Sequence, residues 1–130
     1  MSLPARHVIF DASGLVALGR GTRIGSRLID RAARGSGSFV YAPTCSLVEA
    51  DRSRPGTAEH VAALPGVTVL DLDLPTALSM MSWQGWDRPH VLYCALPNLD
   101  RPEGAAIATA NPEPWRGRTV RLIDLREEQS

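Results

Sequence analysis

The sequence predicts an α/β domain of three layers, α/β/α, around a mostly parallel central sheet of about five strands. Two observations predict it. Five short apolar runs rich in Val and Ile, each bounded by Gly, Pro or Asp, read as buried strands, because strands covered on both faces lose the alternation of a half-exposed sheet. Helical patterns separate most of these runs, and parallel strands need such crossover connections.

Taken in order, "HVIFD" is the first strand, and Asp11 at its end is placed to cap a short helix that follows. Residues 22–34 repeat apolar side chains at helical spacing. "SFVYAP" is the second strand, closed by Ala42 and Pro43, after which Thr44 caps a helix over 44–52. A further helix is predicted over 57–64, then the strand "VTVLDLD". Helices over 75–83 and 89–96 each begin at a proline, which the first turn accepts because its N–H groups lack helical partners anyway. "GAAIAT" and "TVRLIDL" supply the last two strands. Residues 1–126 thus make one domain, with no repeat or linker, and 127–130 are expected to be a frayed tail.

Composition narrows the class. A chain of 130 residues, 44% hydrophobic and 22% charged, is large enough to bury a core and too apolar for disorder. Its 14 basic and 14 acidic residues cancel, so attraction to nucleic acid must come from a local patch rather than a net field. Every basic residue is Arg, which excludes phosphate-loop and Schiff-base lysine chemistry and leaves forked, permanently charged cations for phosphate contacts. Cys45 and Cys94 are isolated from each other and from any His pair, so neither a zinc spacing nor a disulfide framework is indicated. No apolar run has the length of a signal peptide or membrane span, and a cytoplasmic location is the expectation.

Open parallel sheets bind ligands beyond the carboxyl ends of their strands, where the connecting loops diverge. Four segments bring polar residues to that edge. Asp11 ends the first strand. In "YAPTCSLVEADR", Glu49 lies in the second turn of its helix among Leu47, Val48 and Ala50, on a polar strip or directed into the crevice beside Asp11. "GWDRPHVLYCAL" puts Asp87 or His90 in the first turn of a helix. "AAIATAN" ends in Thr109 and Asn111.

With these segments in hand, the chain resembles the PIN-domain family of metal-dependent nucleases, which includes the ribonuclease toxins of toxin-antitoxin modules. "VIFDASGLVAL", "YAPTCSLVEADR", "HVLYCAL" and "GAAIATANPEPW" carry the resemblance, in the family's order and over nearly the whole chain. It implies a PIN-like fold and makes Asp11 similar to the family's first metal-binding aspartate and Glu49 to its helical glutamate. His90 falls where the third aspartate opens its helix, and Asn111 at the last acidic position. Asp87, one turn before His90, supplies a substitute carboxylate if the helix start is shifted. Mg²⁺ or Mn²⁺ is the implied cofactor and RNA the implied substrate, with an antitoxin-like protein and a second copy of the chain as further partners.

Two carboxylates can hold one Mg²⁺ that keeps several waters. A pair of ions needs more anionic bridges than a site with His and Asn at two acidic positions offers. His90 would favour Mn²⁺ or Zn²⁺, for which imidazole is a better donor. Ser13 and Thr109 are placed to hydrogen-bond a substrate or only their own backbone. Each of the others also has a structural role open to it: helix capping for Asp11 and Asp87, a solvated face for Glu49, a satisfied polar contact for His90, and a turn for Asn111 before Pro112. Arg20, Arg23, Arg27, Arg31 and Arg34 recur at helical steps as a stripe that grips an RNA backbone, meets a partner protein, or is simply hydrated. Trp83 and Trp86 either stack an unpaired base or cover the core, as does Trp115. The expected function is a PIN-like endoribonuclease weakened by its incomplete acidic site, or an inactive RNA-binding or protein-interaction module. A dinucleotide enzyme is disfavoured, because no glycine-rich fingerprint follows the first strand.

Overall fold

Val8, Ile9 and Phe10 are all buried, as a strand with neighbours on both edges and layers on both faces requires. They belong to β1 (Arg6–Phe10), the central strand of a five-stranded sheet in the computed structural model, which describes residues 6–126. The expected tail over 127–130 lies outside the described residues. In chain order the other elements are α1 (Ala12–Gly19), α2 (Arg23–Ala33), β2 (Ser38–Pro43), α3 (Thr44–Ser53), α4 (Thr57–Ala62), β3 (Val67–Leu70), α5 (Leu74–Ser79), α6 (Asp87–Ala95), β4 (Ala106–Thr109), a 3₁₀ turn (Glu113–Trp115) and β5 (Leu122–Asp124).

The strand order is β3-β2-β1-β4-β5, and every neighbouring pair is parallel. The sheet is therefore wholly rather than mostly parallel. The chain winds outward from β1 to β3, then returns to place β4 on the other side of β1. The order reverses between β1 and β4, and the crevice of an open sheet opens at such a reversal.

Alternation along each strand divides the core in two. Val8, Phe10, Val40, Ala42 and Ala108 meet Leu15 and Leu18 of α1, Leu28 of α2, Leu47 and Ala50 of α3 and Val61 of α4. Ile9, Tyr41 and Ile107 meet Val91 and Ala95 of α6 and the indole of Trp115. The three layers follow from this split. Contact is closest where α1 crosses β4: a Cβ at Gly14 would lie 2.3 Å from the backbone oxygen of Ala108, so only glycine lets the helix sit so low. No helix among the described residues is long and apolar enough to cross a membrane.

Several element boundaries differ from the sequence reading: α4 ends at Ala62, β3 at Leu70, and β4 begins only at Ala106. α6 starts at Asp87 with Trp86 as its N-cap, so Pro89 is its third residue, still within the turn that tolerates a missing N–H. α5 ends at Ser79 and not at residue 83, because Met80 closes it with N–H bonds to Thr76 and Ala77. The last strand is cut to Leu122–Asp124, the length over which β4 offers partners.

Candidate active site

Asp11 leaves β1 at the reversal of strand order and is 4% exposed. Its backbone is extended, and its side chain caps α1: Oδ1 accepts the N–H of Gly14 at 2.8 Å. Oδ1 also accepts the Ser13 hydroxyl at 2.8 Å, and Oδ2 accepts the indole N–H of Trp115 at 2.9 Å. Three donors hold one carboxylate.

Ser13 extends this network to the end of β4. Its oxygen lies 3.1 Å from Thr109 Oγ1 and accepts the N–H of Ala110 at 3.0 Å. Because the one Ser13 proton goes to Asp11, Thr109 must donate to Ser13, while Thr109 Oγ1 accepts the N–H of Asn111 at 3.0 Å. Ser13 is thus saturated by protein partners and Thr109 keeps one acceptor position, and the pair positions Asp11. Asn111 follows in an irregular segment and is exposed.

Asp87 approaches from the other layer. As the first residue of α6 it reaches back to the start of α1, where Oδ2 accepts the N–H of Ala12 at 3.4 Å. Oδ1 accepts a short hydrogen bond from Ser46, a fully buried residue of α3. Two carboxylates, Asp11 and Asp87, therefore share the N-terminus of α1, where the unpaired N–H groups and the helix dipole favour negative charge. The favour is incomplete for Asp87. Burial, and after it the nearby charges of Asp11 and Glu49, push its pKa up to about 6 against the lowering effect of the Ser46 and Ala12 hydrogen bonds.

Glu49 stands at the rim, its side chain 56% exposed and its carboxylate 3.9 Å from Arg52. It is close enough to Asp87 to raise that group's pKa, but its described ion pair is with Arg52 and not with the Asp11 network.

His90 does not join the acids. It is buried with Nδ1 accepting the N–H of Cys45 at 3.4 Å, and it bonds the backbone of Asp71. Burial lowers its pKa, so the neutral ring is a clamp between α6, α3 and the chain after β3. Of the two candidates for this edge, Asp87 and not His90 shares the start of α1 with Asp11. With Nδ1 so engaged, the sequence-based argument for a His-bound Mn²⁺ or Zn²⁺ has no support in the geometry. Cys45 and Cys94 are free thiols whose pKa values burial raises.

The arginines lie to one side. Arg23, Arg27 and Arg31 are exposed on α2, whereas Arg20 and Arg34 are the C-caps of α1 and α2. Arg34 pairs with Asp30 at 3.1 Å on the surface, where such a pair adds little to stability. Arg20 and Arg23 line a groove of about 650 Å³ whose wall also includes Ser13 and Ala110, so it begins at the Asp11 network. Arg27 and Arg31 are not among its lining residues.

Among the described residues, no group of three or more His, Cys, Asp or Glu side chains is placed to hold a metal ion. The donor chemistry still suits a hard cation, since Asp11 and Asp87 offer only oxygen and each carboxylate has about four lone-pair positions, of which three and two are taken. One largely hydrated ion fits that inventory. Two do not, because Asn111 is neutral and His90 is turned away. Ser46 and Trp115 were not evident as partners of the acids in the sequence; only the position of Ser46 one turn before Glu49 hinted at a shared face.

No family model matches the chain, and no curated protein matches it.

Proposed function

We propose that the chain is a PIN-type endoribonuclease that works with a single Mg²⁺ or Mn²⁺, with Asp11 and Asp87 as the carboxylates at its centre and Glu49 at the rim. Asp87 carries the reading: a carboxylate with a pKa of about 6, set beside a second buried carboxylate at the reversal point of a parallel sheet. Placing like charges together in a poorly solvated site destabilises a fold, and such arrangements gather where chemistry needs them. A cation held by Asp11 and Asp87 would supply charge neutralisation at a phosphodiester and activation of the attacking water.

The chain's own residues do the rest. Ser13, Gly14 and Trp115 fix the Asp11 carboxylate in one orientation, and Ser46 with the Ala12 N–H fixes Asp87. Above pH 6 Asp87 is predominantly ionised and able to hold a cation. The groove lined by Arg20 and Arg23 gives a phosphate backbone a cationic path to Ser13. RNA is the proposed substrate and the cytoplasm the proposed location, in keeping with two free thiols.

A second reading, a binding module without cleavage, is favoured by one contact: the Trp115 N–H occupies the Asp11 oxygen that an ion would otherwise reach. One experiment separates the two. Mixed single-stranded RNA is incubated with Mg²⁺ or Mn²⁺ and the wild type, Asp11→Asn, Asp87→Asn or Glu49→Gln. Metal-dependent cutting that disappears in the two Asp variants and falls about tenfold in Glu49→Gln is the result expected. Cutting that persists in Asp11→Asn and Asp87→Asn overturns the site; no cutting by the wild type transfers the case to the binding module.

A further inference from the structure

Arg101 is 8% exposed, yet no carboxylate pairs with it among the described residues. Its Nε donates to the Cys94 carbonyl at 3.3 Å, and its guanidinium lies 4.9 Å from the centre of the Tyr41 ring. The two Nη nitrogens have no partner among the described residues. A full positive charge taken out of water is unfavourable, and one carbonyl and one ring face offset only part of that. The flanking acids, Asp100 and Glu103, are both exposed and stay out of ion-pair reach.

The backbone around Arg101 is firmly held. Asn98 Oδ1 accepts the N–H groups of Asp100 and Arg101, each at 2.9 Å, and the Arg101 carbonyl accepts those of Asn98 and Gly104 at 3.0 and 2.8 Å. Gly104 has a φ of +74°, and a Cβ there would lie 2.4 Å from the Ala95 carbonyl oxygen, so only glycine closes this loop onto α6. The sheet brings two more polar groups to the guanidinium. His7 of β1 and Tyr41 of β2 share the face that α6 covers, and His7 Nδ1 lies 2.7 Å from the Tyr41 hydroxyl. The His7 ring also stacks on Phe39, with centroids 5.0 Å apart. Burial, and after it the charge of Arg101, holds the His7 pKa below the usual imidazole value, as the closeness of the two groups requires. In a neutral His7–Tyr41 pair one proton fills the shared bond, and the other, on Nε2 or on the hydroxyl, is left to donate. Because no fully buried polar side-chain atom among the described residues lacks a partner, the Nη groups of Arg101 reach the surface.

We propose that Arg101, Tyr41 and His7 form an anion site whose ligand is a phosphate group, either the free ion or a small monoester. The guanidinium fork matches two oxygens of such a ligand, and the spare proton of the His7–Tyr41 pair serves a third. A carboxylate has no third oxygen to offer. The site lies at the opposite end of β1 from Asp11, about 13 Å away along the strand, and so stands whether or not the chain cleaves RNA.

The test titrates the full chain with inorganic phosphate, methyl phosphate or acetate at neutral pH and fixed ionic strength, and follows the NMR signals of its three histidines. Phosphate is expected to move the His7 signals saturably and to leave those of exposed His60 and buried His90 in place. In Arg101→Gln the phosphate affinity is expected to fall about tenfold to a hundredfold. Arg118→Gln, which removes the guanidinium stacked on Trp83, should match the wild type. The preference between phosphate and methyl phosphate tells the free ion from the ester. Unmoved His7 signals, equal movement of all three histidines, undiminished affinity in Arg101→Gln, or acetate binding as tightly as phosphate overturns the site. Should Arg101→Gln fail to fold, the wild-type titration still decides, together with Tyr41→Phe, which keeps the ring under the guanidinium and is expected to weaken phosphate by about threefold to tenfold through loss of the hydroxyl. Full phosphate affinity in Tyr41→Phe overturns the site as well.

Discussion

Asp87 takes up a proton more readily in the folded chain than in the unfolded one, since burial and the carboxylates of Asp11 and Glu49 disfavour its charge. Its pKa rises from 3.8 to about 6, so the stability linked to this proton is fully present below pH 3.8 and is lost as the pH rises through 6. The loss amounts to roughly 3 kcal/mol at most. Asp87→Asn keeps the partners, with the amide oxygen accepting from Ala12 and the amide N–H donating to Ser46, and never ionises. It is therefore expected to be more stable than the wild type above pH 6 by about 1–3 kcal/mol, with the difference vanishing near pH 3.8, as urea melts across that range will measure. Trp115→Phe keeps an aromatic ring but removes the N–H from Asp11; a fall of about 2 kcal/mol in the same melts is expected for a hydrogen bond to a charged acceptor. Asp11 was readable from "VIFDAS" because its role as a cap is local: carboxylate and N–H are three residues apart. Asp87 was ambiguous because Pro89 reads as a helix opener, and a shift of two residues decides whether position 87 or 90 faces Asp11. Ser46 and Trp115 reach their acids across 41 and 104 residues, and no local pattern carries such contacts.

At the scale of elements, buried parallel strands announce themselves as unbroken apolar runs, and all five predicted strands are present. The helix ends were harder to read. Nothing in "SMMSWQGW" shows that Met80 turns its N–H back on Thr76 and Ala77, and the helical pattern continues on paper past the point where the chain bends away. The low seat of α1 on β4 was likewise invisible, because Gly14 looks like any small residue in a helix. The structure makes it a strong constraint. Gly14→Ala would improve helix propensity in isolation, yet its methyl group meets the Ala108 carbonyl at 2.3 Å and must lift α1 from the sheet. The expected result is a loss of about 3 kcal/mol by denaturant unfolding, with Asp11 displaced from its partners. A neutral or stabilising outcome would show that the helix has room to move.

For the whole molecule, the three-layer architecture was legible from the alternation of runs and helical patterns, whereas the strand order was not, since it depends on where the chain chooses to return. That return sets Asp11 and Thr109 side by side and brings α6 over the opening. The proposed cation site is therefore a property of the complete fold, and its occupancy should be felt by the complete fold. Mg²⁺ or Mn²⁺ is expected to raise the thermal midpoint of the wild type, approaching about 2.7 kcal/mol of stabilisation when the free ion is a hundredfold above its dissociation constant. Ca²⁺, Mg²⁺ and Mn²⁺ should each leave Asp87→Asn nearly unmoved. Scanning calorimetry decides the matter, and equal shifts in both proteins would remove Asp87 from the cation's surroundings.

The position of β4 has a consequence for synthesis. β1 is made first and is the centre of the sheet, yet one of its two edges stays open until residues 106–109 arrive, nearly a hundred residues later. On the ribosome, β1, β2 and β3 can associate while β1 keeps a bare flank of N–H and C=O groups, the kind of surface that recruits foreign strands. A nascent chain should therefore show that edge to chaperones until β4 emerges, and any delay before the β4 codons should cost yield through aggregation rather than through misreading.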